Sequence, residues 1–486
     1  MCPRHVERAY LDGRIDSFLI KRLSPSLNSF KVQSGVPTPT WNRFDLGFKL
    51  LYLDGLRSTE SEFARRIYSN HIKAFSLGDM SEPGNPKKLG VDRFLADFAE
   101  IFDNLRHSGF DTDISLLPLA HDGTPINGGH RTACAISLGI PITSVQTGLE
   151  PVQFDYRFFK KRGVVLNDLD AAALRLVSAT PHAAVALLWP AARARDREVD
   201  VLIGPAIYRR KIPLSLKAGH NLLTRVYANE PWLGDPEQNH PGVRRKLMEC
   251  FSGRDDLRLI VFDAPPNVDR VALKERIRRI YGIGKSSVHI TDTHAEAVEI
   301  TQMLLNENSR HFLEHARPNQ FSATRAKISQ FKTYLRENEI PSHSVAVDTG
   351  LVMGAYGLRP PNDIDVVSDR PLPAGPVEQH DGRYRSVELP ELLQDPAHHL
   401  FFRKVKFISL ENVAALKSKR LAGQDREDVI LIQRLIRPQT ERILQNNLYM
   451  RLQFAHLRFR RRIIKIIYAL GAGPTVKRLY HMATRR

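Results

Sequence analysis

Asp363 and Asp365, in the stretch Leu358-Arg-Pro-Pro-Asn-Asp-Ile-Asp-Val-Val367, have the residue type and spacing to do chemistry. In extended backbone alternate side chains share a face, so the two carboxylates project together while Ile364, Val366 and Val367 bury themselves in a sheet. Adjacent carboxylates repel, and a divalent cation such as Mg2+ or Mn2+ relieves the repulsion. Upstream, Gly350 precedes a short apolar run, 351–356. That run predicts a helix whose first backbone N–H groups are free to meet a phosphate. The same acids could instead merely flank a buried strand after the turn formers Pro360-Pro361-Asn362.

Further groups lie upstream. Asp122-Gly123 sits between two short apolar runs, and Gly128-Gly129-His130-Arg131 leads into a stretch closed by Gly139. The pattern predicts a strand, an Asp-Gly hairpin, a second strand and a glycine-rich entry into a helix. Gly128 and Gly129 would let backbone N–H groups approach an anion, with His130 and Arg131 as added donors. Alternatively, His130 and Arg131 only cap and solvate the helix start. His289, Asp292, His294 and Glu296 fall within eight positions, a spacing open to metal binding or acid–base work, or to a capped helix start with Asp292 or Thr293 as N-cap. Gly282 to Ser287 imitates a nucleotide phosphate loop, but Arg279 stands where its first glycine must be. Aromatic and basic residues interleave from Phe154 to Arg162, a run that could stack bases or form a half-buried amphipathic turn.

Gly350, Asp363 and Asp365 resemble the signature of the polymerase-beta type nucleotidyltransferase superfamily, a glycine and an Asp-apolar-Asp strand roughly ten residues apart. The resemblance implies a metal held by Asp363 and Asp365, a nucleoside triphosphate as substrate, and a loop that Arg359 helps to hold. Leu351 departs from the pattern, which has Gly or Ser there. For the expected third carboxylate Glu388 has the right local pattern, whereas the strand 404–410 carries lysines. Asp122, Gly129, His130 and Arg131 resemble the nucleotide-phosphate motif of the ParB/sulfiredoxin fold, with Gly129 where sulfiredoxin has its catalytic cysteine. The order of parts is similar to bacterial proteins encoded with lipopolysaccharide and capsule genes, through Gly109-Phe-Asp111, Glu230-Pro-Trp-Leu233 and Lys406-Phe-Ile-Ser-Leu410 among other runs.

These groups need elements to hold them. Apolar residues at spacings of three and four predict helices from Phe44 to Leu51 and from Phe94 to Leu105, with a Pro/Gly loop at 81–88 between them. An Ala-rich helix pair is expected around Pro181. Beyond it, strands are expected at 199–203, 257–262 and 287–290, with helices at 271–281 and 295–305. The chain thus reads as an α/β and α+β multidomain protein. Its parts are an extension (1–40), a ParB/sulfiredoxin-like nucleotide- or phosphate-binding domain (41–165), a middle α/β module (166–318), a nucleotidyltransferase-like domain (319–440) and a basic amphipathic tail (441–486).

With 486 residues, 42% of them hydrophobic, the chain can bury more than one core. It has no apolar run of membrane-spanning length, and its first residues lack a signal-peptide core, so a cytoplasmic protein is expected. Three scattered cysteines indicate neither a disulfide framework nor a zinc site. The formal net charge is +18, but eleven Lys and Arg, and no acid, follow Glu441. The body is therefore only mildly basic, which argues against nucleic acid as a partner. In 456–486, Phe459, Ile463, Ile466, Ile467 and Leu470 share a helical face opposite Arg458, Arg461, Arg462 and Lys465, a pattern suited to an anionic membrane surface. Two functions follow. One is a phosphotransferase or nucleotidyltransferase of surface-polysaccharide assembly, acting on a sugar or polyol acceptor. The other is a non-catalytic or DNA-binding ParB-like regulator with a degenerate transferase domain.

Overall fold

The computed structural model describes residues 4–57, 61–82, 85–253 and 255–436, together with positions 459, 462, 463, 466 and 469. The first sheet joins β1 (Arg4–Glu7), β2 (Ser29–Gly35), β3 (Leu117–Leu119) and β4 (Ile142–Gln146) in the order β1-β2-β4-β3. Residues 1–40 are therefore no appendage. β2 pairs antiparallel with β4, Val32 opposite Val145, and its alternation buries Phe30 and Val32 while Ser29 and Lys31 face water.

Helices α1 (Asp45–Arg57), α2 (Glu62–Ser76), α3 (Val91–Ser108), α4 (Gly129–Leu138) and α5 (Leu166–Ala179) pack on one another, and α4 meets the sheet through Ala135, which clusters with Leu117, Leu119 and Ile142. The expected loop at 81–88 contains instead a small hairpin of Ser81–Glu82 with Asn85–Leu89. Tyr156 and Phe159 join Phe44 and Phe48 in an edge-on aromatic cluster while Arg157, Lys160 and Lys161 stay exposed, so the basic-aromatic run is a half-buried amphipathic turn. A Cβ on Gly47 would come within 2.6 Å of the Ala172 carbonyl oxygen, which shows how closely α1 and α5 cross. A boundary at 165/166 cuts through that packed pair, and one apolar core continues from Phe44 to Leu313.

The middle sheet contains β5 (Ala183–Leu188), β6 (Tyr208–Ile212), β7 (Leu257–Asp263) and β8 (Val288–Ile290), ordered β8-β5-β7-β6 and antiparallel throughout. Two sequence expectations fail here. The second half of the Ala-rich pair is β5, a strand buried at all six positions, whose apolar run resembles a helix until its length is weighed. The expected strand at 199–203 belongs to α6 (Asp196–Ile203), where Asp196 and Glu198 complement the positive helix start and Val199 turns inward with Leu202 and Ile203. Helices α7 (Arg270–Tyr281) and α8 (His294–Leu305) lie where expected.

The C-terminal domain begins with α9 (Ser322–Glu337) and β9 (Val345–Val347), followed by α10 (Thr349–Tyr356), β10 (Asp365–Ser368) and β11 (Glu378–Gln379). It continues through α11 (Leu389–Gln394), β12 (His399–Phe402), β13 (Val405–Ile408), α12 (Leu410–Arg420) and α13 (Asp425–Gln433). The sheet is mixed, in the order β11-β10-β9-β13-β12. All eight residues of α10 are buried. Gly354 allows its close packing, since a Cβ there would come within 2.8 Å of Thr324 Oγ1, and Gly357 ends it at φ 75°. Lys406 on β13 lies inside, donating to the carbonyls of His343 and Leu393, and burial lowers its pKa to about 8.

No described helix is long and apolar enough to cross a membrane. The tail of 441–486 lies outside the described residues except at five positions, all helical, where Phe459, Ile463 and Ile466 are exposed.

Candidate functional site

The sheet of the C-terminal domain brings three carboxylates together. β10 pairs antiparallel with β9 and parallel with β11, with Asp365 as the register partner of Glu378. Partners in a ladder point to the same face, and Asp363, in the bend just before β10, lies close to both. Carboxylate oxygens of Asp363, Asp365 and Glu378 all lie within 4.8 Å of one another. Asp365 is buried whereas Asp363 and Glu378 are exposed, so the group opens to solvent on one side. Glu388, the expected third acid, is instead the exposed N-cap residue of α11 and stands outside this group. The acid beside the pair is Glu378.

A fourth acid lies beneath. Asp348 is fully buried at the end of β9 and accepts from Arg385 and, at 3.2 Å, from His380 Nδ1. Burial alone would raise its pKa, but the bonds from His380 and Arg385 outweigh that effect and hold the carboxyl ionised, below its ordinary value. His380 Nε2 faces Asp365 Oδ1 at 3.4 Å. The bond to Asp348 raises the His380 pKa against the opposing effect of burial. For Asp365 burial dominates and raises the pKa, with repulsion from Asp363 and Asp348 in the same direction and the Thr349 bond against it. Thr349 donates to Asp365 from a backbone at φ 38°, a region that costs a β-branched residue about 1–3 kcal/mol. Strain is therefore held at the turn that joins β9 to the site.

Gly350 lies one residue into α10. A Cβ there would sit 3.4 Å from Asp363 Oδ1 and 3.7 Å from Arg359 Nη2, in ordinary contact, so the helix start lies directly beside a carboxylate and a guanidinium. Arg359 is itself engaged, donating twice to buried Asp428 at 2.9 and 3.1 Å. Asp428 also pairs with Lys417, and Asp425 with Lys417 and Arg420. This network fastens the loop after α10 to α12 and α13. A donor set of three oxygens, two facing solvent, suits a hard divalent cation such as Mg2+ or Mn2+.

The glycine-rich junction of the N-terminal domain has a different character. The turn forms, with Asp122 accepting from Thr124 N at 2.9 Å, but the expected second strand is only an isolated bridge from Leu119 to Pro125, and α4 starts behind Gly128 at φ 74°. His130 and Arg131 do not converge. His130 turns inward to hydrogen-bond Tyr68 at 2.8 Å and pack against Phe98, and burial holds its pKa well below the ordinary histidine value. Arg131 folds over Gly128 toward the charge of Asp16 and hydrogen-bonds to no described residue. Against Gly129 lie Arg43 and Asp45, a bidentate pair that is all but fully buried. Lys49 adds a bond to Asp45 at 2.6 Å, and His71 one to Lys49 at 3.3 Å. Burial would raise the Asp45 pKa, but Arg43 and Lys49 hold it far below the carboxylate range. An internal carboxylate thus already faces the start of α4.

The His289 group is structural. His289 bonds Glu296 at 2.7 Å, while Glu296 accepts from Asp292 N and donates its own N–H to Thr293 Oγ1, a reciprocal cap. His294 turns away to the Val177 carbonyl. A cleft of about 330 Å³ lies on the middle sheet, lined by Tyr156, Lys160, Arg209, Lys211 and Arg258, and takes in none of the C-terminal acids. The carboxylate group, with unpaired like charges and a strained turn, is the stronger candidate for chemistry. No family model, curated protein or solved structure matches this chain, so the site is judged on its own geometry.

Proposed function

We propose that the chain is a divalent-metal-dependent nucleotidyltransferase or phosphotransferase whose active site is Asp363, Asp365 and Glu378. The observation that carries this reading is the convergence of three carboxylates, two on paired strands and Asp363 in the bend before them, next to a glycine helix start. When bound, Mg2+ or Mn2+ would neutralise charge developing on the transferred phosphoryl group. The residues divide the remaining work. Asp365, fixed by Thr349, supplies a rigid ligand, while Asp363 and Glu378 meet the solvent side from which substrate arrives. Arg359 and Asp428 brace the loop that carries Asp363. The nucleotide is a nucleoside triphosphate, and the acceptor a sugar or polyol of surface-polysaccharide assembly, as the sequence resemblances imply.

The test is metal-dependent consumption of nucleoside triphosphate across sugar and polyol acceptors. Release of pyrophosphate identifies nucleotidyl transfer, and release of nucleoside diphosphate identifies phosphoryl transfer. Asp363→Asn with Asp365→Asn should abolish turnover without lowering the melting temperature. A fully active double variant refutes the assignment.

A further inference from the structure

We propose that the cleft on the middle sheet is a binding site for a small phosphorylated molecule, with Lys160 and Lys211 receiving the phosphate. It is independent of the acidic group in the C-terminal domain, from which the cleft takes no residue.

Strand pairing crowds cations here. β6 is the last strand of its sheet, and its register sets Lys211 opposite Arg258 and Arg209 opposite Ile260 on β7. Partners share a face, so Lys211 and Arg258 stand side by side, with Arg209 two residues along the same strand. Like charges directly opposite one another destabilise a ladder. Among the described residues, acids answer only two of the three. Asp196 and Asp200, four apart on α6, face Arg258 Nε at 3.1 Å and pair with Arg209. Arg209 Nε is buried and has no hydrogen-bond partner among the described residues. Arg210, on the other face of β6, is held by Asp170 at 3.2 Å. Lys211 is exposed, and its side chain pairs with no described residue. The same holds for Lys160, which lines the cleft from the short helical turn Tyr156–Lys160.

The charges select the ligand. With Arg209, Arg210 and Arg258 each facing an acid, the two lysines remain unmatched. A phosphate monoester carries about −1.5 to −2 at pH 7 and so meets both, whereas a carboxylate meets one. An adjoining hollow of about 270 Å³ shares Asp196, Lys211 and Arg258 but adds Arg193 against Asp255 and Asp256. Its charges balance, so the phosphate belongs to the first cleft. At about 330 Å³ that cleft stands at the small end of ligand pockets, and Tyr156, Leu166, Leu188 and Ile260 give it apolar surface for the body of the molecule. Lysine on an edge strand also serves simply to block pairing with another sheet. That use requires neither the concavity nor a second lysine from a different element.

The full chain, in metal-free buffer, is titrated by isothermal calorimetry with inorganic phosphate, glucose 6-phosphate and adenosine 5′-monophosphate. A single site per chain should appear, with an organic phosphate at least ~10-fold tighter than inorganic phosphate because its body also meets the apolar wall. Lys160→Gln with Lys211→Gln should weaken binding at least ~10-fold, the loss expected for a charge-assisted contact. Lys31→Gln, on the exposed face of β2, should leave it unchanged. No binding of any of the three, equal affinity for all three, or unchanged binding in the double variant overturns the proposal and leaves the lysines as guards of the strand edge. A loss as large in Lys31→Gln overturns it too, because the attraction is then general surface charge.

Discussion

Asp348 and Asp363 are both acids of one site, yet the structure assigns them opposite effects on stability. Among the described residues Asp348→Asn removes the one carboxylate paired with Arg385, whose side chain is 6% exposed and whose Nε has no hydrogen-bond partner among them. It also weakens the acceptor of His380 Nδ1. Breaking a buried pair from one side leaves an uncompensated charge and costs about 3–5 kcal/mol. At about 4 °C per kcal/mol for a domain near 100 residues, the C-terminal domain should melt on the order of 12–20 °C lower. Asp363→Asn removes an exposed like charge next to Asp365 and Glu378, so its effect should stay within about 0.5 kcal/mol. Both variants are followed by scanning calorimetry, with local hydrogen exchange across 345–368 to assign the transition to this domain. Asp348→Asn combined with Arg385→Met should recover much of the loss, because the stranded cation goes with its partner. A melting temperature for Asp348→Asn within 2–3 °C of the wild type would refute the reasoning. So would a double variant as unstable as the single one.

Gly129→Ala drives a methyl group into the pinned Arg43–Asp45 pair and should cost several kcal/mol, whereas Gly350→Ala meets its neighbours at 3.4 Å or more and should change stability by less than about 1 kcal/mol; equal denaturation midpoints would contradict this. His71 and His399 have pKa values held well below 6.5 by burial, reinforced by Lys49 and Lys406 respectively. Each contributes stability that is present above its unfolded pKa and lost as pH falls from about 6.5 toward the folded value, at about 1.4 kcal/mol per pH unit per histidine. His380, with its pKa raised, has the opposite sign and loses its contribution as pH rises through its folded value. Melting temperature should therefore fall between pH 6.5 and 5.5, and His399→Gln should flatten the fall; a flat wild-type profile would contradict it. The basic tail should carry the full chain, but not one ending at Glu441, to anionic liposomes in flotation, with about 1 kcal/mol per basic residue near the surface; equal flotation would reduce the tail to a packing helix.

How much of this was legible in the sequence depends on how local each signal was. Asp363 and Asp365 are two residues apart, so their nearness was legible locally, although Asp363 stands in the bend before β10 and not in the expected strand. Glu378 enters through a parallel pairing between two short strands, thirteen residues on and across the proline-rich 371–376, and no periodicity reports such a pairing. A trace was present in Glu378-Gln-His380, which sets an acid two residues from a histidine just past the proline-rich run. Phe30 and Val32 alternated legibly within 1–40, yet the short run was obscured by flanking turn formers. The expected strand at 199–203 failed because Val199, Leu202 and Ile203 also satisfy a helical spacing, and the acids before them favour a helix start.

The contrast between the two phosphate-like motifs turns on charges that sequence distance conceals. At Gly129 the anion is already present, since Asp45, more than eighty residues away in the chain, lies between Arg43 and Lys49 and meets the helix start from within. A phosphate arriving there would have to displace a carboxylate held by two buried cations, at a desolvation cost of several kcal/mol. At the C-terminal site the imbalance has the other sign. Asp348, Asp363, Asp365 and Glu378 are answered by Arg385 and His380, while Arg359, Lys417 and Arg420 are already matched to Asp425 and Asp428. Two exposed carboxylates next to a buried one leave negative charge without a protein partner, and a divalent cation supplies the opposite charge in the least volume. The glycine motif with the fuller set of basic residues is therefore the closed one, and the acid-rich site has the charge imbalance on which the proposed metal-dependent reading rests.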